Sequence, residues 1–247
     1  MTIRGLRVRT EGVKTWTGTS GFSYPAWRGS FYPEKTPPAK MLAYYSQRLN
    51  TVEINNTFYR MPKAEMLATW AATVPSAFRF APKAPQLITH KQRLVGAADS
   101  LAHFLKVLSS FGETLGPLLF QLPPFLRKDV PRLVDFLALL PREARAAFEF
   151  RHTSWFDDAV YEALRAHGAA LCVADAEELA TPLVATTSWG YLRLRRTDYD
   201  EAALGAWAEK LSGLELAWTS AFIYFKHEDA GLGPKLATQF VEKLAQG

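Results

Sequence analysis

Short apolar runs recur along the chain at near-regular intervals, and most end in a polar or charged residue. Eight of them carry the period-2 alternation and the β-branched or aromatic content of strands. They are Trp16–Ser20, Thr51–Asn55, Ala77–Ala81, Gly116–Gln121, Ala147–Arg151, Ala169–Asp175, Gly190–Arg195 and Ala221–Lys226. Between them the apolar spacing changes to that of amphipathic helices. Leu101, Phe104, Leu105, Leu108 and Phe111 form one such stripe, with Gly112 placed to end it. Pro131 opens a helix bearing Leu133, Phe136, Leu137 and Leu140. Asp200 is placed to cap one bearing Leu204, Trp207 and Leu211, and Gly213 to end it. Met41, Leu42, Tyr45 and Leu49 mark the first helix, and Pro234 begins the last, with Leu236, Phe240, Val241 and Leu244. Residues 176–188 give no convincing helix.

Strand and helix signals that alternate from end to end predict an α/β fold, a single (β/α)8 TIM barrel with an irregular or missing helix after strand six. An open doubly wound sheet lacks support, because no G-x-G-x-x-G fingerprint follows a strand and no P-loop occurs. The expected organisation is an N-terminal extension over residues 1–14 and one domain over 15–247. Pro37-Pro38 and the Pro82–Pro85 region read as loops over the barrel mouth.

A barrel of this kind gathers its strand ends around one pocket. Alternation in Phe148-Glu149-Phe150-Arg151-His152 sends the two rings to one face and the two charges to the other. A charge pair placed in mid-strand is costly unless something satisfies or uses it. The same alternation turns Tyr191, Arg193 and Arg195 inward on strand seven, Tyr224 and Lys226 on strand eight, and Arg79, Ala81 and Lys83 on strand three. Glu53 pairs with Asn55 on one side of strand two.

These positions supply the candidate chemistry. Glu149, with Glu53 or Asp175 as partner, could serve as general acid and base, provided burial separates their pKa values. The competing reading pairs Glu149 with Arg151 or Arg193 and leaves it only organising the pocket. Lys83 could polarise an oxygen or form a Schiff base. Arg151, Arg193, Arg195 and Lys226 would hold negative charge. Ser20, Asn55, Gln121, His152 and Tyr191 complete the polar ligand-binding set, and Tyr24, Trp27, Tyr59 and Trp155 are its aromatic members. Ser20 lacks the elbow of a hydrolase nucleophile. Gly231-Leu232-Gly233-Pro234-Lys235 follows strand eight and opens a helix, where backbone N–H groups could meet an anion, although Pro234 removes one donor.

A divalent metal could draw on His152, His227, Glu53, Glu149 and Asp175, but no metal-binding spacing supports it, and no cofactor is predicted. His103 and His167 fall in helices and His90 in a loop.

Bulk composition narrows the classes without choosing among them. The 247 residues are 48% hydrophobic and 21% charged, an ordinary globular balance. Net charge is +5, with no block of five like charges, so phosphates, nucleic acid or acidic ligands are compatible partners. One cysteine, Cys172, excludes an internal disulfide and sits in an apolar run, where a buried structural thiol is expected. No apolar leader and no membrane-length run occurs, so the expected location is cytoplasmic, with no membrane partner.

Several segments together resemble the DUF72, or YecE-like, family of TIM-barrel proteins. They are Gly18-Thr19-Ser20-Gly21-Phe22-Ser23-Tyr24 with Trp27 and Phe31-Tyr32-Pro33, then Thr51 through Tyr59, Gln121-Leu122-Pro123-Pro124, Glu149-Phe150-Arg151-His152 with Ser154-Trp155, and Asp175. The resemblance spans about residues 15–245 and implies a TIM barrel with a pocket, and no particular reaction. Two segments depart from the common pattern. Tyr191-Leu192-Arg193-Leu194-Arg195-Arg196 stands where many members resemble Tyr-x-Arg-x-His-Gly, and Lys226-His227-Glu228-Asp229 stands where many carry an Asn pair. Both changes make that end of the pocket more basic.

The first functional expectation is therefore an enzyme acting on a small phosphorylated or anionic ligand by hydrolase- or isomerase-type acid/base chemistry. The alternatives are a nucleic-acid-binding or nuclease-like barrel, and a non-catalytic ligand- or partner-binding module.

Overall fold

The computed structural model describes residues 12–213, 218–227 and 229–246. Residues 1–11 of the expected N-terminal extension, and Glu228, lie outside the described residues. Strands and helices alternate: β1 Lys14–Ser20, α1 Pro38–Ser46, β2 Thr51–Ile54, the single turn α2 Asn56–Tyr59, α3 Ala64–Thr73, β3 Arg79–Pro82, α4 Ala98–Leu108, β4 Leu118–Gln121, α5 Val130–Leu137, β5 Ala146–Glu149, α6 Asp158–Ala166, β6 Ala170–Asp175, β7 Trp189–Leu194, α7 Glu201–Ser212, β8 Ser220–Phe225 and α8 Leu232–Gln246. The strands are all parallel, in the order β3-β2-β1-β8-β7-β6-β5-β4. Two backbone bonds join the ends of that order, Gly116 N–H to the Phe80 carbonyl at 2.7 Å and Ala84 N–H to the Leu119 carbonyl at 2.8 Å. Pro82 and Pro117 have no N–H to give, so this seam is the sparse part of a nearly closed TIM barrel.

Local chemistry explains several elements. Asp129, Asp157 and Asp200 cap α5, α6 and α7 by accepting from the Arg132, Ala159 and Ala203 amides. No helix forms over residues 176–188, as the sequence predicts. Other expectations need correction. Pro82 belongs to β3 and Pro38 opens α1, so neither is a loop residue; a proline at a helix start loses no hydrogen bond. Helix α4 stops at Leu108, and the tight turn Ser109–Thr114 carries the chain to Gly112, which takes φ +52°. Helix α8 starts at Leu232, two residues before the proline expected to open it. Strands β5, β7 and β8 end early, which leaves Arg151, Arg195 and Lys226 just beyond the last paired residues.

Alternation builds two shells. Outward residues such as Phe80, Phe120, Phe148, Ile223 and Phe225 pack against the helices. Inward residues Trp16, Ala81, Leu119, Ala147, Ala170, Cys172, Trp189, Tyr191, Phe222 and Tyr224 fill the barrel. Trp16 stacks on Phe222 at 4.7 Å near the strand starts, so the lower barrel is apolar and the polar inward side chains collect at the C-terminal end.

Candidate active site at the strand ends

Arg193, on β7, organises the upper barrel. Its Nη2 donates to Glu53 Oε1 at 2.8 Å and its Nη1 donates to Glu149 Oε2. All three side chains are buried. Ser20 Oγ donates to Glu53 Oε1 at 2.7 Å and Tyr191 Oη donates to Glu53 Oε2 at 2.8 Å. Glu149 Oε1 accepts from Gln121 Nε2 at 2.8 Å and, loosely, from Arg195 Nη1 at 3.4 Å. Lys83 closes the chain of contacts by donating from Nζ to Gln121 Oε1 at 2.7 Å. Six of the eight strand ends thus contribute to one connected network.

The charges in this network are unequal. Burial alone would raise the Glu149 pKa, but the charges of Arg193 and Arg195, with hydrogen bonds from Arg193 and Gln121, hold it at about 2. Lys83 moves the other way. Burial lowers its pKa first, the Arg193 charge lowers it further, and Glu53 and Glu149 pull against both; with Lys226 also lowering it, the value falls to about 8. Among the described residues Lys83 touches no carboxylate: its partners are the neutral amide of Gln121 and the face of Phe58, 4.1 Å from Nζ. A turn over Leu87–Lys91, closed by the Gln92 amide on the Leu87 carbonyl, brings His90 edge-on to the same Phe58 ring.

Above the network a cleft of about 480 Å³ opens over the ends of β5, β6 and β7. Glu149, Arg151, His152, Thr153 and Arg195 line it, together with Pro124, Glu177, Glu178, Leu179 and Thr197. Among the described residues Arg195 pairs only with Glu149, at 3.4 Å, and Arg151 only with Glu178, at 3.9 Å, so both guanidinium groups keep donors for the cleft. Glu177 accepts from the Thr197 hydroxyl at 2.6 Å.

The structure brings together Glu53, Glu149, Lys83, Ser20, Gln121, Tyr191, Arg193 and Arg195, with Arg151 and His152 at the rim. Lys226 is half-buried beyond β8, and its charge is felt at Lys83. The remaining candidates stand elsewhere. Asp175 follows Ala170, Cys172 and Ala174 on β6, so the same alternation that turns those residues inward turns Asp175 out. Its Oδ2 accepts from Tyr199 Oη at 2.7 Å and Trp207 Nε1 at 3.0 Å on the helix side. Asp175 is therefore no partner for Glu149. Trp155 is buried, stacked on Phe150 at 4.6 Å, with its indole N–H on the Leu126 carbonyl. Trp27 is buried against Tyr24 and Tyr32. Neither ring is open to stack on a ligand. Tyr59 is 74% exposed and does not line the cleft. Tyr24 and Asn55 line a separate cleft of about 410 Å³ between α1 and α3.

The metal-ligand set is not assembled either. His152 Nδ1 lies 2.9 Å from Ser154 Oγ, His227 Nε2 meets the Arg196 carbonyl, and both glutamates are held by Arg193. Among the described residues no three His, Cys, Asp or Glu side chains converge. The expected anion site at the start of α8 has a packing role: a Cβ on Gly231 would meet Ser30 Oγ at 2.3 Å, and one on Gly233 the His227 carbonyl at 2.7 Å. No residue of 231–235 lines the cleft.

Glu177, Glu178 and Thr197 line the cleft, and the sequence does not single them out as ligand positions. The first two fall in the helix-free segment after β6, where no periodicity assigns a face. The adjacent acidic pair next to a strand end is the signal that could have marked them.

Residues 16–247 match the family described as "Protein of unknown function DUF72". The UPF0759 protein YecE of Escherichia coli (strain K12) is 34% identical over 116 residues, 47% of this chain and 43% of that protein, so the match spans less than half the length of that relative. The UPF0759 protein YunF of Bacillus subtilis (strain 168) is 25% identical across 87% of this chain and 90% of its own. A DUF72 family protein from Thermotoga maritima superposes with a TM-score of 0.82 at 27% identity, covering 94% of this chain and 99% of that one. One from Enterococcus faecalis gives 0.76 at 18% identity, covering 94% and 95%, a likeness of fold alone.

Proposed function

The chain belongs to the DUF72 family, and from the barrel it shares with that family we propose that its C-terminal rim binds a small anionic ligand on which Lys83 performs acid/base chemistry. The observation that carries this reading is the division of labour among the charges. Arg193 occupies both buried carboxylates, while Arg195 and Arg151 are only loosely paired and border the cleft. Charge-assisted hydrogen bonds from such guanidinium groups are the strong contacts by which phosphate and carboxylate groups are held.

The geometry favours Lys83 over Glu149 as the titrating group. A carboxyl with a pKa of about 2 is ionised at neutral pH and is a feeble base. An amine with a pKa of about 8 exists in both forms near neutrality and can take or give a proton. Glu149 then supplies a fixed negative charge that orients Gln121 and Arg195. The reaction class that fits is proton transfer at a carbon or oxygen next to the bound anionic group, as in an isomerisation.

Calorimetric titration with inorganic phosphate tests the binding half. Arg195→Ala should weaken binding by about tenfold or more, the worth of one charge-assisted bond. Equal affinity in the variant and the parent would overturn the assignment of the anion to this rim.

A further inference from the structure

We infer that Lys83 is an amine nucleophile, and that the ligand of the rim is an anionic carbonyl compound, a 2-oxo acid or a phosphorylated aldehyde or ketone, with which Nζ forms an imine. This rests on the reading of the rim as an anion site. Three geometric observations support it.

First, a lysine in a polar interior usually stays protonated because a carboxylate holds it. Here Gln121 stands between Lys83 and Glu149, accepting from Nζ on one end of its amide and donating to Glu149 Oε1 on the other. Second, Nζ rests on the face of Phe58, a surface that shields it from water without binding its lone pair once the proton has left. Third, Arg195 and Gln121 meet on the same oxygen, Glu149 Oε1, so the guanidinium and the amine belong to one continuous run of contacts through Glu149 and Gln121. Lys83 does not itself line the cleft, so a bifunctional ligand held by Arg195 must displace the Gln121 amide from Nζ to bring its carbonyl carbon there.

The condensation balances without any co-reactant. The Nζ–C bond forms as the carbonyl C–O bond breaks. The ammonium form loses two protons, and they leave with the carbonyl oxygen as one water, giving a protonated imine. The charged groups around Nζ set which form predominates. Arg193 on β7 and Lys226 beyond β8 favour the free amine, as burial does, while Glu53 on β2 and Glu149 on β5 oppose them. His90, which meets Phe58 edge to face, has its own pKa lowered by burial and then by the Lys83 charge, so it adds little positive charge near neutral pH.

The test is reductive trapping of the full chain with glyoxylate and cyanoborohydride, read by peptide mass spectrometry across a pH series. At pH near 8, Lys83 should be modified about tenfold faster than exposed lysines such as Lys35 and Lys40. Lys83 labelling should rise with a midpoint near pH 8. Lys83→Arg keeps the charge and should abolish the adduct at that position, with the circular dichroism spectrum reporting that the barrel persists. Labelling of Lys83 no faster than that of Lys35 and Lys40 overturns the proposal, even where phosphate titration still shows an Arg195-dependent anion site. A neutral carbonyl, glycolaldehyde, separates the two claims. Arg195→Ala should slow trapping of glyoxylate and spare that of glycolaldehyde. Equal trapping of both probes in parent and variant would keep the nucleophile and remove the anion site.

Discussion

Glu149 and Lys83 hang on opposite ends of one amide, and that amide lets their pKa values move apart. Glu149 is the better placed to reveal the energetics of the network. Its folded pKa of about 2 lies below the ordinary carboxylate value of 4.5, so the folded state binds its proton less tightly than the unfolded chain does. The stabilisation this confers is complete above about pH 5 and fades as pH falls from about 4.5 toward 2. Glu149→Gln should cost about 3 kcal/mol at neutral pH, because it leaves the buried Arg193 with one carboxylate instead of two. The gap between variant and parent should narrow as the pH drops through that window. Urea unfolding at a series of pH values measures it; a gap that stays constant down to pH 2 would mean that Glu149 contributes nothing through its charge.

Among the elements, the seam between β3 and β4 sets the barrel's weak side. Elsewhere neighbouring strands share ladders, such as the six-residue registers that join β8 to β1 and to β7. At the seam the prolines reduce the ladder to isolated bridges. Amide protons of Gly116 and Ala84 should therefore exchange through local opening, roughly tenfold or more faster than those of Leu192 and Ile223, which should exchange only with global unfolding. Native-state hydrogen exchange under urea reads this directly, and equal protection would show the barrel to be continuous. The elements also show what the sequence could reveal. Strand alternation made the inward faces of β7 and β8 legible, because Leu192, Leu194, Ile223 and Phe225 leave no doubt about the outward side. The same rule condemns Asp175, one residue out of phase with Ala174, although its place at a strand end made it look like a site residue. The Gln121 bridge was not legible. It depends on how far β3, β4 and β5 are staggered, and the stagger across a parallel sheet is fixed by barrel closure, not by any local pattern. The burial of Trp155 likewise depends on the turn Thr153–Trp155 folding the ring back onto Phe150.

For the whole molecule, a net charge of +5 admits two kinds of anionic partner, and their response to salt separates them. A nucleic-acid strand would be tracked by many exposed cations along a groove. A complex with six to ten phosphate contacts loses about 10³ to 10⁵ in affinity between about 50 and about 200 mM salt. The rim offers something smaller. Its cleft of about 480 Å³ is bordered by two loosely paired guanidinium groups, with acidic Glu177 and Glu178 on its lip. On the proposed anion-site reading, that lip should repel a continued phosphate backbone and leave room for one or two anionic groups. Partly enclosed pairs are also screened less than exposed ones. Phosphate affinity should then fall by roughly tenfold or less over that same salt range. A short single-stranded oligonucleotide should bind no more tightly than a mononucleotide, since only its terminal phosphate can enter. Competition titrations at several salt concentrations decide the matter. An oligonucleotide that displaces phosphate far better than a mononucleotide, with an affinity collapsing steeply in salt, would transfer the basic surface from a small-ligand pocket to a nucleic-acid interface.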